Sequence, residues 1–269
     1  MDTLPLHILE KYWGYSHFRP LQEDIINSVL AGNDTLALMP TGGGKSICYQ
    51  VPALMKDGIC LVVSPLIALM KDQFEGLQNK GIKALAVFSG MSYREVDVAL
   101  DNAVMGYYKF LFLSPERLQS DLFLARAPEM KVNLIAVDEA HCISQWGFDF
   151  RPSYLKIAEI KTLFPKVPLL ALTASATPTV QSDIRERLLF QKGHATFTMS
   201  FDRQNLVYAV LNDEDKKSRI LKLLEKVAGT ALIYVNTRKA THDLAIWLRK
   251  SNISADYYHG GLNAEERTQ

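Results

Sequence analysis

Two stretches of this 269-residue chain place chemically useful side chains at a useful spacing. In the first, an apolar run Thr35–Met39 is followed by Pro40, Thr41, three consecutive glycines (Gly42, Gly43, Gly44), then Lys45 and Ser46. Glycines let backbone N–H groups converge on phosphate oxygens, and the N-terminus of a following helix adds positive potential there. Lys45 can then reach the β- and γ-phosphates of a nucleoside triphosphate, and the Ser46 hydroxyl can ligate Mg²⁺. The strict phosphate-loop spacing has a glycine where Met39 stands. A glycine-rich turn before an ordinary helix is the plainer alternative.

In the second stretch, the apolar run Leu134–Val137 ends in two adjacent carboxylates, Asp138 and Glu139. Asp138 would hold the Mg²⁺ that bridges to the nucleotide. Glu139 would orient and polarise the attacking water. Alone, the pair reads as a solvated acidic turn; with the phosphate loop upstream it becomes specific.

Both stretches need a scaffold that brings them together. Short apolar or β-branched runs at Thr35–Met39, Ile59–Ser64, Ala84–Phe88, Phe110–Ser114, Leu134–Asp138 and Leu169–Thr173 read as strands. Stretches such as Leu21–Leu30 and Leu66–Asn79 between them have helical spacing. Such alternation predicts an α/β fold, a parallel sheet flanked by helices on both faces. Ligands of such sheets bind beyond the carboxyl ends of the strands, where both chemical stretches fall. The polar segment Ser200–Asn205 breaks the pattern, which then restarts. Leu206–Val210, Ala231–Val235 and Ala255–His259 read as strands, and Lys216–Val227 and Thr237–Lys250 as helices. Ala240, Leu244, Trp247 and Leu248 would share a face of the last. The expected division is a first domain over 1–203 and the opening part of a similar, incomplete one over 204–269.

Composition narrows the function classes. A net charge of +1 excludes a blanket basic surface, so nucleic-acid binding would have to be local. The three cysteines, Cys48, Cys60 and Cys142, form no CxxC pair and no zinc spacing. With no secretory pattern at the start, they fit a reducing, cytoplasmic setting. No run of about 18 apolar residues suggests a membrane span.

The motifs resemble those of the RecQ family of superfamily 2 helicases. Asp138-Glu139-Ala140-His141 with Gly44-Lys45-Ser46 carries the superfamily likeness. RecQ is indicated by the run from Gly14 to Gln22 and by Thr41–Gln50. Ser64–Gln73, Ser114–Arg117 and Leu172–Thr177 add to it, as does the aromatic-rich run His141–Pro152 with Tyr154. The likeness implies two RecA-like P-loop domains, ATP and Mg²⁺ as cofactors, and 3′-to-5′ unwinding of tailed duplexes from single-stranded DNA, in repair or recombination. Tyr15 and Arg19 would sandwich adenine and Gln22 would bond its edge, as ring, guanidinium and amide chemistry allow. Phe18-Arg19-Pro20 also reads as the start of a helix, and both can hold. Thr41, Gly42, Gly43, Gly44, Lys45 and Ser46 would bind the phosphates. His141, Gln145, Trp146, Phe148, Phe150 and Arg151 would couple DNA to the ATP site. Trp146, Phe148, Phe150 and Tyr154 could stack on bases without reading sequence; a buried aromatic cluster is the alternative.

The chain departs from the family pattern in two places. Gln204 sits where the family has proline. The family's later motifs, with its arginine finger, zinc module and winged helix, have no counterpart, so the chain is expected to bind ATP without unwinding DNA. Arg238 and Arg249 fall in an early helix rather than at the finger position. The rival classes are a non-catalytic DNA-binding or interaction module that keeps the first domain, and an RNA helicase of the same superfamily.

Overall fold

The computed structural model describes residues 4–147, 149–200, 206–263 and 266. Phe148 and Gln204 therefore lie outside the described residues. The chain divides into two compact units, Met1–Arg203 and Gln204–Gln269.

The first unit threads α1 (Pro5–Trp13), α2 (Gln22–Leu30), β1 (Thr35–Leu38), α3 (Ile47–Met55), β2 (Ile59–Val63) and α4 (Ile67–Gln78). It continues through β3 (Ala84–Val87), α5 (Tyr93–Val104), β4 (Phe110–Leu113), α6 (Asp121–Arg126) and β5 (Val132–Val137). It closes with α7 (Ile157–Leu163), β6 (Leu169–Thr173), α8 (Pro178–Arg187) and β7 (Ala195–Thr198). The strands form one sheet in the order β3-β4-β2-β5-β6-β1-β7, every pairing parallel.

Strand alternation sorts the side chains onto two faces. Leu36, Leu38, Leu61, Val63, Leu111, Leu113, Ile135 and Val137 pack on one, under α5, α6, α7 and α8. Ala37, Cys60, Val62, Phe110, Phe112, Leu134 and Ala136 pack on the other, under α2, α3 and α4. All six expected strands of this unit are present, but five stop one residue short of their expected C-terminal ends. Met39, Ser64 and Asp138 each still donate a backbone N–H to a neighbouring strand, at 3.0, 3.2 and 2.8 Å, before the chain turns out of the sheet. The chemistry therefore begins where the ladder ends. Sequence periodicity gave no sign of β7: its Ala-Thr-Phe-Thr alternation is half-buried because it closes one edge.

The second unit holds two described helices, α9 (Lys216–Lys226) and α10 (Arg238–Lys250). Asp215 caps the first by accepting from Ser218 N–H, and Thr237 the second by accepting from Ala240 N–H. The strands expected at Leu206–Val210, Ala231–Val235 and Ala255–His259 are not formed. A strand exists only through its hydrogen-bonded neighbour, and none pairs with these segments among the described residues. Val207, Val210, Leu232 and Tyr234 stand exposed as a result.

Just before β1, one buried carboxylate gathers three segments. Asp34 Oδ1 accepts from Lys161 Nζ at 2.7 Å and Leu169 N–H at 2.8 Å, and Oδ2 accepts from Gln191 N–H at 2.9 Å. Lys161 also donates to the Val167 carbonyl at 2.7 Å. Both side chains are almost completely buried. Removing one partner strands the other charge in the interior. Asp34→Ala should therefore lower the unfolding free energy by about 3–5 kcal/mol in equilibrium urea titration. A loss below about 1 kcal/mol would show that the pair does not anchor the sheet.

Candidate nucleotide site and the loop beside it

Beyond β1 the chain turns sharply. Gly42 and Gly44 take φ of 79° and 78°, a left-handed conformation that other residues rarely adopt. A side chain at Gly44 would also collide with Gln22 Nε2. That closeness reflects a brace. Gln22 Nε2 donates to the Gly44 carbonyl at 3.0 Å and to the Gly43 carbonyl at 3.4 Å, while its Oε1 accepts from Arg19 N–H at 2.9 Å. The Arg19 guanidinium donates to the Gly42 carbonyl. Two residues expected to read adenine thus hold the phosphate loop in shape. Both also line a cavity of about 550 Å³ with Tyr15, Gly44, Ser46 and Gln73. The exposed Tyr15 ring and this cavity leave room for a base beside the loop.

Lys45 and Ser46 end the loop at the N-terminus of α3. Elsewhere in the sheet, the C-terminal end of β5 delivers Asp138 and Glu139. Burial first, and the neighbouring Glu139 charge second, raise the Asp138 pKa, while the Lys45 charge works against that rise. Glu139 moves the other way. A hydrogen bond from His141 is the largest influence lowering its pKa, and Lys45 lowers it further. The recessed Asp138 carboxylate and the Ser46 hydroxyl are hard oxygen donors, a set that suits Mg²⁺.

Glu139 itself has a left-handed backbone, φ 47° and ψ 46°. A short 3₁₀ turn, Ala140–Ile143, follows. His141 Nδ1 lies 3.3 Å from Glu139 Oε2 and 2.8 Å from Thr173 Oγ1. The Thr173 hydroxyl in turn donates to the Ser175 carbonyl at 3.3 Å. The carboxylate expected to polarise water is therefore wired to the end of β6 through one imidazole.

Gln145–Gly147 and Asp149–Arg151 follow this turn. Gln145 is exposed, Trp146 is 75% exposed, and Phe150 is half-buried. Arg151 donates to the Pro65 carbonyl at 3.0 Å and to Asp149 at 3.2 Å. Cys142 points its thiol at Asp149 Oδ2, 3.7 Å away, and burial pushes its pKa up to about 12, so it remains a weak neutral donor. Tyr154 corrects an expectation. It is fully buried and its hydroxyl donates to the Asp138 carbonyl at 2.9 Å, so it cannot stack on a base. Its place in the aromatic run disguised a packing role.

The family model for DEAD/DEAH box helicases matches residues 19–184. The chain belongs to the DEAD/DEAH box helicases. Its RecQ likeness extends over nearly the whole chain. It is 42% identical to the probable ATP-dependent DNA helicase RecS of Bacillus subtilis, over 96% of this chain and 53% of that protein. It is 39% identical to the ATP-dependent DNA helicase RecQ of Pasteurella multocida, over 98% of this chain and 42% of that one. The chain thus spans about half the length of the curated relatives it matches. A solved DUF1998 helicase, MrfA, aligns with a TM-score of 0.71 and 16% identity over 98% of this chain and 43% of its own. That likeness speaks for the fold: the parallel seven-stranded sheet with helices on both faces is the RecA-like helicase fold.

His141→Ala removes the largest influence holding the Glu139 pKa below its ordinary value, so a carboxyl ¹³C NMR titration should show Glu139 titrating at higher pH. With a depressed folded pKa, Glu139 adds stability above its unfolded pKa and loses it as pH falls through the folded value. An unmoved titration would show that His141 does not stabilise the carboxylate. Gln22→Ala removes a brace of the loop, so it should weaken binding of inorganic tripolyphosphate as well as of ATP. Unchanged tripolyphosphate binding would confine Gln22 to the base.

Proposed function

We propose that this chain is the ATP-hydrolysing core of a RecQ-type DNA helicase. Residues 1–203 form the first RecA-like motor domain and 204–269 the opening part of the second. Single-stranded DNA, presented alone or as the tail of a duplex, runs past the Gln145–Arg151 loop. In a helicase of full family length, movement would be 3′ to 5′, as the family likeness implies; this chain binds ATP without unwinding duplex DNA. The observation that supports this most directly is that the glycine loop with Lys45 follows β1, and Asp138 and Glu139 follow β5, at the same end of one parallel sheet.

Each residue has a distinct role. Gly42–Ser46 cradle the phosphates, and Lys45 compensates the charge that grows on them as the terminal phosphoryl group leaves. Asp138 and Ser46 would hold Mg²⁺, which neutralises phosphate charge when bound. Glu139, kept ionised by His141 and Lys45, takes the proton of the attacking water. Trp146 and Phe150 offer aromatic surface for stacking on unpaired bases. The three cysteines are free thiols, which supports a reducing, cytoplasmic setting. No described helix is long and apolar enough to cross a membrane.

Lys45→Ala and Glu139→Gln separate binding from chemistry. Phosphate release should fall at least about a hundredfold in both. Binding of a fluorescent ATP analogue should weaken in the first and persist in the second. Turnover that survives Lys45→Ala would remove the loop from the site. Absence of turnover in the unaltered chain, with and without single-stranded DNA, would favour a non-catalytic binding module; stimulation by RNA in preference to DNA would favour an RNA motor.

A further inference from the structure

We infer that Tyr154 is a positioning residue for Glu139, acting through the peptide that joins Asp138 to Glu139. The chain on either side of that peptide is anchored. Asp138 N–H is fixed to the Val63 carbonyl at 2.8 Å, as the last ladder bond of β5. Glu139 N–H is turned to Asp138 Oδ1 at 3.0 Å, and the Glu139 carbonyl accepts from Cys142 N–H at 2.9 Å. The Asp138 carbonyl lies between these anchors, and the Tyr154 hydroxyl donates to it at 2.9 Å.

Its direction matters because it is coupled to the φ of Glu139. A peptide flip rotates the carbonyl of one residue together with the φ of the next. Glu139 has no glycine-like freedom at φ 47°, so its left-handed state persists only where neighbours impose it. That state places the carboxylate 3.3 Å from His141 Nδ1. Tyr154 is suited to impose it. The ring is fully buried and its hydroxyl has the Asp138 carbonyl as its acceptor.

Tyr154 also closes the loop. Arg151 N–H donates to the Cys142 carbonyl at 2.8 Å, and Tyr154 N–H to the Arg151 carbonyl at 2.9 Å. The segment that leaves the turn at Ile143 thus returns to it within one hydrogen bond of Asp138. Displacement of Trp146 or Arg151 by a bound strand would be felt at the carbonyl that sets the Glu139 backbone.

The catalytic consequence rests on the proposed ATP hydrolysis; the positioning itself does not. The test compares Tyr154→Phe, which keeps the ring and deletes the hydroxyl, with the unaltered chain. Three quantities are read: kcat and KM for ATP, backbone amide exchange at residues 139–142, and the thermal midpoint. The expected result is a kcat lower by about fivefold to tenfold, with exchange across the turn faster by a similar factor, the scale of one lost hydrogen bond. KM should change by less than about twofold, because ground-state contacts to the nucleotide are untouched. Unchanged exchange in the variant overturns the positioning. Faster exchange with unchanged kcat in an active chain overturns the catalytic role. A KM that rises with kcat unchanged also overturns it, since Tyr154 would then shape binding alone. Were the unaltered chain to lack turnover, the hydrolysis reading would fail, and exchange would still decide whether Tyr154 holds the turn.

Discussion

The left-handed turn at Glu139 is the constraint around which the site is arranged. A parallel strand must end somewhere, and β5 ends with its last ladder bond at Asp138 N–H. The next residue reverses direction at once, at φ 47°. Adjacent strand residues point to opposite faces; this reversal is what lets two neighbouring carboxylates serve one site. It also separates their chemistry. Asp138 stays recessed, where burial raises its pKa, while Glu139 meets His141 and is held ionised. One peptide thus separates the two groups: burial works against the charged form of Asp138, while the His141 hydrogen bond favours the charged form of Glu139.

The phosphate loop solves a related problem with glycine. Positive φ at Gly42 and Gly44 supplies the tight path, and hydrogen bonds from Gln22 and Arg19 pin the loop carbonyls in place. The departure at Met39 is explained by where that position faces. Met39 is fully buried, with the Cys48 thiol 3.7 Å from its sulfur. The turn starts only after it, so a side chain there fills the core instead of obstructing the loop.

Legibility in the sequence followed burial. Strands buried on both faces, such as Ile59–Val63 and Phe110–Leu113, announce themselves as continuous apolar runs. The edge strand Ala195–Thr198 does not, because only alternate residues are partly covered. In the second unit, Leu206–Val210 and Ala231–Val235 have strand-like composition, but composition supplies no hydrogen-bonding neighbour. The site was legible wherever a residue type acts locally, as glycine does at positive φ, lysine and serine at a helix start, and carboxylates at a strand end. Side chains whose partners are distant in sequence were not. Nothing near Tyr154 indicates that it reaches back to Asp138, and nothing near Gln22 indicates the Gly43 and Gly44 carbonyls. The buried Asp34–Lys161 pair is hidden for the same reason.

Through Glu139, His141 and Tyr154, the nucleotide site and the exposed loop are joined as one bonded unit. Trp146 can report on that union, because it is exposed in the loop and does not line the cavity beside the phosphate cradle. The decisive measurement is Trp146 fluorescence in a chain carrying Trp13→Phe and Trp247→Phe, titrated with Mg²⁺ and a non-hydrolysable ATP analogue in the absence of DNA. Coupling predicts a saturable change in emission that tracks analogue binding and is lost in Lys45→Ala. Saturated binding with an unchanged Trp146 signal would contradict it, because the loop would then respond independently of the phosphate loop.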